Sequence, residues 1–317
     1  MAKPPPRSAL IVGINAYRGM PLTTCVSDAK RLASLLDRDE DGAPNFSVNL
    51  LTAPDDVITE RSLKREIVSL FEDEHCDAAV FYFAGHGVLT PTGGYLVTPD
   101  FETFDEGISM DEVIRLANRS PIENKIIIMD CCHAGGIGDD RGVSEVGAGV
   151  SVIASCGKAQ KAEESGDSSR FTSLLLDALQ GGAADLEGYV TPTSAYAYID
   201  RLIGVRGQRP IFRTNVSNFF SIRRTSPPIE DRVLRKLAQY FTDADSTFAL
   251  DPSFEPTADE ADETNTAIFF ELQQMNRVGL VKPVDALHMY DAAMNSGACA
   301  LTATGTLYWR AAKDGNI

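Results

Sequence analysis

The chain has little of what a membrane protein or an exported protein requires. No apolar run approaches the roughly 18 residues that a membrane-spanning helix needs. The opening MAKPPPRSAL passes directly into a strand-like ALIVGI, without the apolar stretch and cleavage site of a signal peptide. Six cysteines among 317 residues do not make the disulfide framework of a small secreted domain. We therefore expect a cytoplasmic protein with reduced thiols and no membrane partner.

Basic residues are also scarce. The 29 Lys and Arg residues stand against 45 Asp and Glu residues, which gives a net charge of −16. Binding to a phosphate backbone needs positive charge, so nucleic acid is not the expected partner. The acidic balance suits attraction of basic peptides, although solubility alone explains it too. The hydrophobic content of 44% supplies a sizeable core.

Short apolar runs alternate with helical periods through the first two thirds of the chain. The predicted buried strands are Ser8–Ile14, Val48–Leu51, Ala78–Phe83, Lys125–Asp130 and Val150–Ser155, with edge strands at Pro210–Arg213 and Phe219–Ile222. The predicted helices are Ser27–Leu36, Thr59–Glu72, Met110–Asn118, Phe171–Gln180 and Ala195–Ile203. This pattern predicts an α/β fold with a mostly parallel sheet and helices on both faces.

The composition changes near Thr225–Pro228, where TSPP reads as a hinge. We predict one domain over residues 1–224, then a hinge, a helix and an acidic linker over residues 225–265. Residues 243–263 contain eight acidic residues and no Lys or Arg, which is typical of a flexible segment. Residues 266–317 are expected to form a small, mainly helical domain of winged-helix-like arrangement.

Two of the predicted strands end in reactive side chains between glycines. The third strand breaks at Gly85-His86-Gly87, and the fourth breaks at Cys131-Cys132-His133-Ala134-Gly135. Parallel neighbours place both breaks at one sheet edge. There an imidazole would act as base for a thiol, which is only a few per cent ionised near neutral pH. The backbone N–H groups of Gly87 and Cys132 are the expected oxyanion donors.

The strand period favours the second cysteine as the nucleophile. Side chains alternate along a strand, so Asp130 and Cys132 share one direction and Cys131 takes the other, toward the interior. A metal cluster at Cys131-Cys132-His133 is the alternative, but no second ligand pair at zinc spacing accompanies it. We expect His133 to orient the loop.

These motifs resemble those of metacaspases and their bacterial relatives. The resemblance rests on Phe83-Ala84-Gly85-His86-Gly87 and Asp130-Cys131-Cys132-His133-Ala134-Gly135, supported by Ala9–Asn15, Cys25–Ala29 and Gly207–Pro210, and it covers residues 8–222. Cys132 follows His86 by 46 positions, close to the roughly 50 of caspase-type enzymes. The resemblance implies a caspase-like fold, Cys132 as nucleophile and His86 as base.

The resemblance also implies a preference for basic residues. Asp28 and Asp130 match the acidic residues that line the metacaspase primary pocket, and two carboxylates in a recess suit a guanidinium. Many metacaspases carry a serine two residues before the histidine, where this chain has Ala84. The preference between Arg and Lys is therefore open.

Two further expectations concern calcium and self-cleavage. No cofactor is required, but some metacaspases bind calcium, for which Asp100, Asp111 and Asp139 are the candidates. Calcium takes six to eight oxygen ligands, which these residues do not supply, so loop carboxylates in water are the favoured interpretation. Caspase-like enzymes often mature by cleavage after the nucleophile, where Arg141 is the only basic residue between Gly136 and Gly149.

The sequence thus predicts an activatable cysteine endopeptidase that cuts proteins after Arg or Lys. An upstream activating protein or protease is the expected partner, in a bacterial signalling or antiviral defence pathway. The alternatives are an adaptor with a vestigial protease domain, and a cysteine hydrolase of small esters or amides. The acidic C-terminal part is expected to bind proteins rather than DNA.

Overall fold

The computed structural model describes residues 6–101, 107–131, 145–155, 164–165, 168–204 and 209–317. The chain divides into two compact units, residues 1–226 and residues 227–317. No helix in the described part of the chain is long and apolar enough to cross a membrane.

The first unit contains thirteen strands and five helices within its described residues. The strands are β1 (Arg7–Ile14), β2 (Ser47–Ala53), β3 (Ala78–Gly85), β4 (Gly87–Thr90), β5 (Gly93–Leu96), β6 (Ile108–Ser109), β7 (Asn124–Cys131), β8 (Val150–Ala154), β9 (Glu164–Ser165), β10 (Ser168–Ser169), β11 (Tyr189–Val190), β12 (Ile211–Asn215) and β13 (Arg223–Arg224). The helices are α1 (Cys25–Leu36), α2 (Glu60–Phe71), α3 (Met110–Arg119), α4 (Arg170–Asp177), which a π-helical turn over Ala178–Gly182 extends, and α5 (Pro192–Ile203).

Six of these strands form the central sheet, in the order β12-β8-β7-β3-β1-β2. The pairs β1/β2, β1/β3, β3/β7 and β7/β8 are parallel, and only the edge strand β12 is antiparallel. The predicted mostly parallel sheet is therefore confirmed. The C-terminal ends of β1, β3 and β7 meet at one edge, which is where loops form a site in such a sheet.

The sheet is covered on both faces, as predicted. One core packs alternate strand residues such as Phe81 and Ile127 against α2 and α3. The other packs the intervening residues, such as Tyr82 and Ile128, against α1, α4 and α5. Near-continuous apolar strands follow from burial on both faces.

One predicted edge strand is wrong. Residues 219–222 do not join the central sheet, because the Ile222 N–H donates instead to the Val190 carbonyl at 2.8 Å. The chain then pairs Arg223–Arg224 with Tyr189–Val190 in a separate two-stranded sheet. Phe219, predicted inside that strand, is 67% exposed.

The second unit combines helices with a small sheet. Its helices are α6 (Asp231–Leu234), α7 (Leu237–Tyr240), α8 (Glu263–Arg277), α9 (Met289–Met294) and α10 (Ala303–Asp314), and its strands are β14 (Thr247–Ala249), β15 (Val281–Val284) and β16 (Ala298–Leu301). The antiparallel sheet has the order β14-β16-β15. The helical part agrees with the predicted C-terminal fold class, and the Thr302 hydroxyl caps α10 by accepting the Gly305 N–H.

The acidic segment over residues 243–263 differs from the flexible linker that its composition indicates. It contributes β14, which pairs with β16 inside the second unit. Phe248 explains the difference, because its ring packs edge-on against Tyr240 and Phe254 at centroid distances of 5.7 and 5.8 Å. A single well-placed aromatic side chain anchors a segment whose average composition is polar.

Candidate active site

His86 lies where the chain leaves the end of the central sheet. It separates β3, which ends at Gly85, from β4, which begins at Gly87. The imidazole Nε2 lies 2.8 Å from the carbonyl oxygen of Met20, in the loop after β1. Because a carbonyl only accepts, this contact assigns the proton of the neutral ring to Nε2 and leaves Nδ1 as the basic nitrogen.

Tyr17, on the same loop, braces His86. The two rings lie 4.5 Å apart between centroids, inclined by 57°. The Tyr17 hydroxyl accepts the His86 backbone N–H and donates to the Val97 carbonyl, each at 3.0 Å. The loop after β1 therefore holds both the ring and the backbone of His86.

The register between β3 and β7 sets the position of the second motif. Ala84 lies opposite Asp130, and Gly85 lies opposite Cys131. The Cys131 side chain is 1% exposed and belongs to the core on the α2 and α3 side. Cys131 thus points into the interior, as the strand period predicts. Cys132, His133, Asp139 and Arg141 lie outside the described residues, so their assigned roles stay predictions.

The Gly87 N–H is not used by the β4/β5 ladder. The Val97 N–H donates to the His86 carbonyl at 3.0 Å, and Gly87 is the next position, opposite Leu96. Adjacent pairs of an antiparallel ladder alternate, so Gly87 and Leu96 form a non-hydrogen-bonded pair. The Gly87 N–H therefore points away from β5, and its role as an oxyanion donor stays a prediction.

The two predicted pocket carboxylates come together on the opposite face of the sheet from Cys131. Asp130 is 5% exposed near the end of β7, and Asp28 is 1% exposed in the first turn of α1. Gly13 of β1 makes this approach of α1 possible. A Cβ there would lie 2.4 Å from the Cys25 carbonyl oxygen and 2.6 Å from Ala29 Cβ.

Ser169 links the two carboxylates. Its backbone N–H donates to Asp28 Oδ2 at 2.9 Å, and its hydroxyl donates to Asp130 Oδ2. The neighbouring Ser168 hydroxyl donates to Asp28 Oδ1, and Thr172 Oγ1 donates to Asp130 Oδ2 at 2.7 Å. Ser169 is also the N-cap of α4, so that helix begins at the paired acids and favours their charge.

One oxygen of this network has no partner. Among the described residues, no hydrogen bond reaches the buried Asp130 Oδ1. Burial raises the pKa of Asp130 and the charge of Asp28 raises it further, while the Ser169, Thr172 and Ser155 hydroxyls lower it. Arg31 gives Asp28 a distant partner, Nη1 to Oδ1 at 3.9 Å, from a half-exposed side chain. The site therefore places two buried carboxylates side by side at the sheet edge that bears His86.

The calcium candidates do not converge in the described part of the chain. Asp100 accepts the Glu60 N–H at 3.1 Å and the Thr98 hydroxyl at 2.7 Å, so it stabilises the start of α2. Asp111 lies at the start of α3, where burial raises its pKa. No group of three or more His, Cys, Asp or Glu residues is arranged there to hold a metal ion.

Several residues of the site carry no recognisable signal in the sequence. Tyr17 and Met20 lie in an irregular loop that carries no periodic signal, and Met20 acts through its backbone. Ser168, Ser169 and Thr172 precede or begin a helix, so the serines look like ordinary caps. The pair Ser169 and Thr172 does show the spacing of a cap, but only the fold reveals that the cap faces two carboxylates.

Comparisons with known proteins agree with this fold. The family model of the caspase domain, peptidase C14, matches residues 6–215. Among solved structures, caspase-1 from Spodoptera frugiperda is similar, with 14% identity and a TM-score of 0.52, over 70% of this chain and 92% of that chain. Protein GSU0716 from Geobacter sulfurreducens is similar too, with 18% identity and a TM-score of 0.52, over 70% and 98%. No curated protein sequence matches the chain.

Proposed function

Because this chain belongs to the caspase domain family of peptidases, we propose that it is a cysteine endopeptidase cleaving protein substrates after Arg or Lys. The observation that carries the specificity is Asp130 Oδ1, a buried carboxylate oxygen without a hydrogen-bond partner among the described residues. It lies beside a second buried carboxylate, Asp28, at the sheet edge that also bears His86.

The reaction assigned to the pair is acyl transfer through a thioester. The Cys132 thiol gives its proton to His86 Nδ1, and the thiolate attacks the scissile carbonyl carbon. The Gly87 and Cys132 N–H groups stabilise the oxyanion. His86 then protonates the leaving amine as the C–N bond breaks. Water, deprotonated by His86, attacks the thioester, and release of the new carboxylic acid restores the thiol.

The Met20 carbonyl supports both halves of this cycle. By accepting from Nε2 at 2.8 Å it fixes the neutral tautomer, with Nδ1 as the base. When Nδ1 takes the proton, the same carbonyl dipole stabilises the imidazolium. This is the orienting role that a third group plays beside a nucleophile and its base. Because the Met20 carbonyl is neutral, it orients His86 without burying another charge.

The pocket chemistry favours a guanidinium or an ammonium group. A buried carboxylate without a cation is costly, and a substrate cation removes that cost when it binds. Guanidinium adds bidentate hydrogen bonds. Ala84 lies opposite Asp130 and brings no hydroxyl. Asp28 and Asp130 are therefore the groups expected to hold the substrate side chain.

Activation and physiological context extend the proposal. We assign the chain to an effector role in a bacterial signalling or antiviral defence pathway, switched on by an upstream protein or protease. The second unit, with seven Lys and Arg against 14 Asp and Glu residues after Pro228, suits regulation or recruitment through protein contacts. Self-cleavage after Arg141 is the assigned maturation step.

The test is the cleavage profile on a peptide library, with and without calcium, for the wild type and for Cys132→Ala. Cleavage after Arg or Lys by the wild type alone supports the proposal. Cleavage after Asp contradicts the pocket assignment. No cleavage under any activation tested favours the adaptor, and labelling by small acyl probes but not by an arginyl chloromethyl ketone favours a small-molecule hydrolase.

A further inference from the structure

The Tyr17 hydroxyl occupies a place in a β-ladder where a backbone hydrogen bond normally forms. His86 and Val97 are paired, and the Val97 N–H donates to the His86 carbonyl at 3.0 Å. In an ordinary hydrogen-bonded pair the His86 N–H would donate to the Val97 carbonyl in return. Here the Tyr17 hydroxyl accepts a hydrogen bond from the His86 N–H and donates one to the Val97 carbonyl. One rung of the ladder is thus bridged by a side chain.

Gly85 leaves the space for this insertion. A Cβ at Gly85 would lie 2.3 Å from the Tyr17 hydroxyl oxygen, far inside contact distance. Its φ lies outside the left-handed region, so space and not backbone conformation demands glycine here. The glycine before the histidine is thereby explained by the tyrosine hydroxyl.

The Tyr17 hydroxyl stays protonated, as this bridge requires. Tyr17 is 7% exposed, and burial raises its pKa above the ordinary value for tyrosine. The hydroxyl therefore keeps its proton and can donate to Val97 throughout the neutral range. Its ring lies against the imidazole, so one side chain contacts both the ring and the backbone of His86.

We propose that Tyr17 is a positioning residue of the His86 centre, an inference that rests on the proposed function. Without the hydroxyl, the His86 N–H and the Val97 carbonyl can close to a direct bond of about 2.9 Å. That closure moves the start of β4, and with it both the imidazole and the Gly87 N–H. A displacement of about 1 Å in such groups can lower a rate about 100-fold.

The variant that tests this is Tyr17→Phe, which keeps the ring and removes only the bridge. Tyr95→Phe is the matched control, because it removes a tyrosine hydroxyl on β5 that bonds to Thr92 Oγ1 at 2.8 Å and not to His86 or Val97. With an arginyl peptide substrate, kcat of Tyr17→Phe should fall roughly 10- to 100-fold with KM within about twofold. Tyr95→Phe should change neither constant. Thermal unfolding of both variants controls for loss of fold.

The direct readout is the ¹⁵N NMR spectrum of the histidine side chains, with His86 assigned by a His86→Gln variant. In the neutral wild type, His86 should carry its proton on Nε2, and in Tyr17→Phe the signals should shift toward mixed tautomers. An unchanged His86 spectrum overturns the proposal, whatever happens to kcat. An inactive wild type whose His86 spectrum still responds to Tyr17→Phe removes the proposed function and leaves the positioning of His86 supported.

Discussion

Gly85 at the end of β3 lies directly opposite Cys131 at the end of β7. In the sequence, His86 follows Gly85 and Cys132 follows Cys131. The Cys131 side chain is buried in the core, on the other face from Asp130. The three consecutive residues therefore differ in role: Cys131 packs in the core, Asp130 carries negative charge and, as proposed, Cys132 is the nucleophile.

The two adjacent cysteines should respond differently to substitution. Cys132→Ala should abolish peptide cleavage, since it removes the proposed nucleophile. Cys131→Ala should retain activity within about threefold and lose about 1 kcal/mol of stability, because it removes one packed sulfur atom. Peptide mass mapping after iodoacetamide treatment of the folded wild type should find Cys132 labelled and Cys131 unlabelled. The nucleophile assignment fails if a folded Cys131→Ala protein is inactive while Cys132→Ala still cleaves.

The elevated pKa of Asp130 predicts that stability depends on pH in the opposite direction to that of a surface ion pair. Burial raises this pKa in the folded state, so the folded protein holds that proton more tightly than the unfolded chain. Stability should therefore fall as pH rises from the ordinary aspartate value through the raised one, and then level off. Asp130→Asn removes this dependence, so above that window the variant should be more stable than the wild type.

Asp55→Asn is the matched control for this effect. The Lys30 ammonium, 2.8 Å away, lowers the pKa of Asp55, so its contribution to stability is present above the unfolded value and is lost as pH falls. Denaturant unfolding across pH should therefore show opposite signs for the two variants. If Asp130→Asn is less stable than the wild type at neutral pH, the carboxylate is paired in solution and is not available to a substrate.

Ser169 should affect substrate affinity as well as stability. Ser169→Ala loses the cap of α4 and the hydroxyl donor to Asp130, and Ser109→Ala loses only the cap of α3. Ser109→Ala should lose about 1 kcal/mol of stability, and Ser169→Ala should lose more, because it also removes a donor to a buried carboxylate. Of the two variants, only Ser169→Ala should raise KM for an arginyl substrate, by several-fold, since Ser169 donates to Asp130 and Ser109 caps a different helix. Equal KM values for the two variants would show that the cap has no role in substrate binding.

Whether the sequence predicts a site residue depends on what that residue contacts. Asp28 and Asp130 each lie in a motif that resembles the family, and the fold brings them to a common partner, Ser169. Tyr17 acts through a contact with residues distant in sequence, at Val97 and His86, which no local pattern encodes. The strands followed from their apolar runs. In the segment over residues 243–263, by contrast, average composition hid the packing of Phe248.

Cleavage after Arg141 should leave the two fragments associated. The described residues after Arg141 are held by hydrogen bonds: Asn118 bonds to the Glu145 carbonyl at 2.6 Å and to the Gly147 N–H at 2.8 Å, and the Lys125 ammonium bonds to the Ala148 carbonyl at 2.9 Å. β8 then pairs between β7 and β12. On incubation with an activator, the wild type should therefore give two chains by denaturing mass spectrometry and one species by size exclusion.

Arg141→Gln and Cys132→Ala should both remain intact under those conditions. If the Cys132→Ala protein is cut when no other protease is present, self-cleavage is contradicted. A wild type that keeps its intact mass after activation contradicts it too.

The most direct test of the central claim compares kcat/KM for two peptides that differ only at the residue before the scissile bond, Arg in one and Gln in the other. The wild type should prefer Arg by at least about 100-fold, because Gln brings no positive charge to the buried Asp130 carboxylate. Asp130→Asn should lose most of that preference, and Cys132→Ala should cleave neither peptide. Equal cleavage of the two peptides, or turnover that survives Cys132→Ala, would contradict the account.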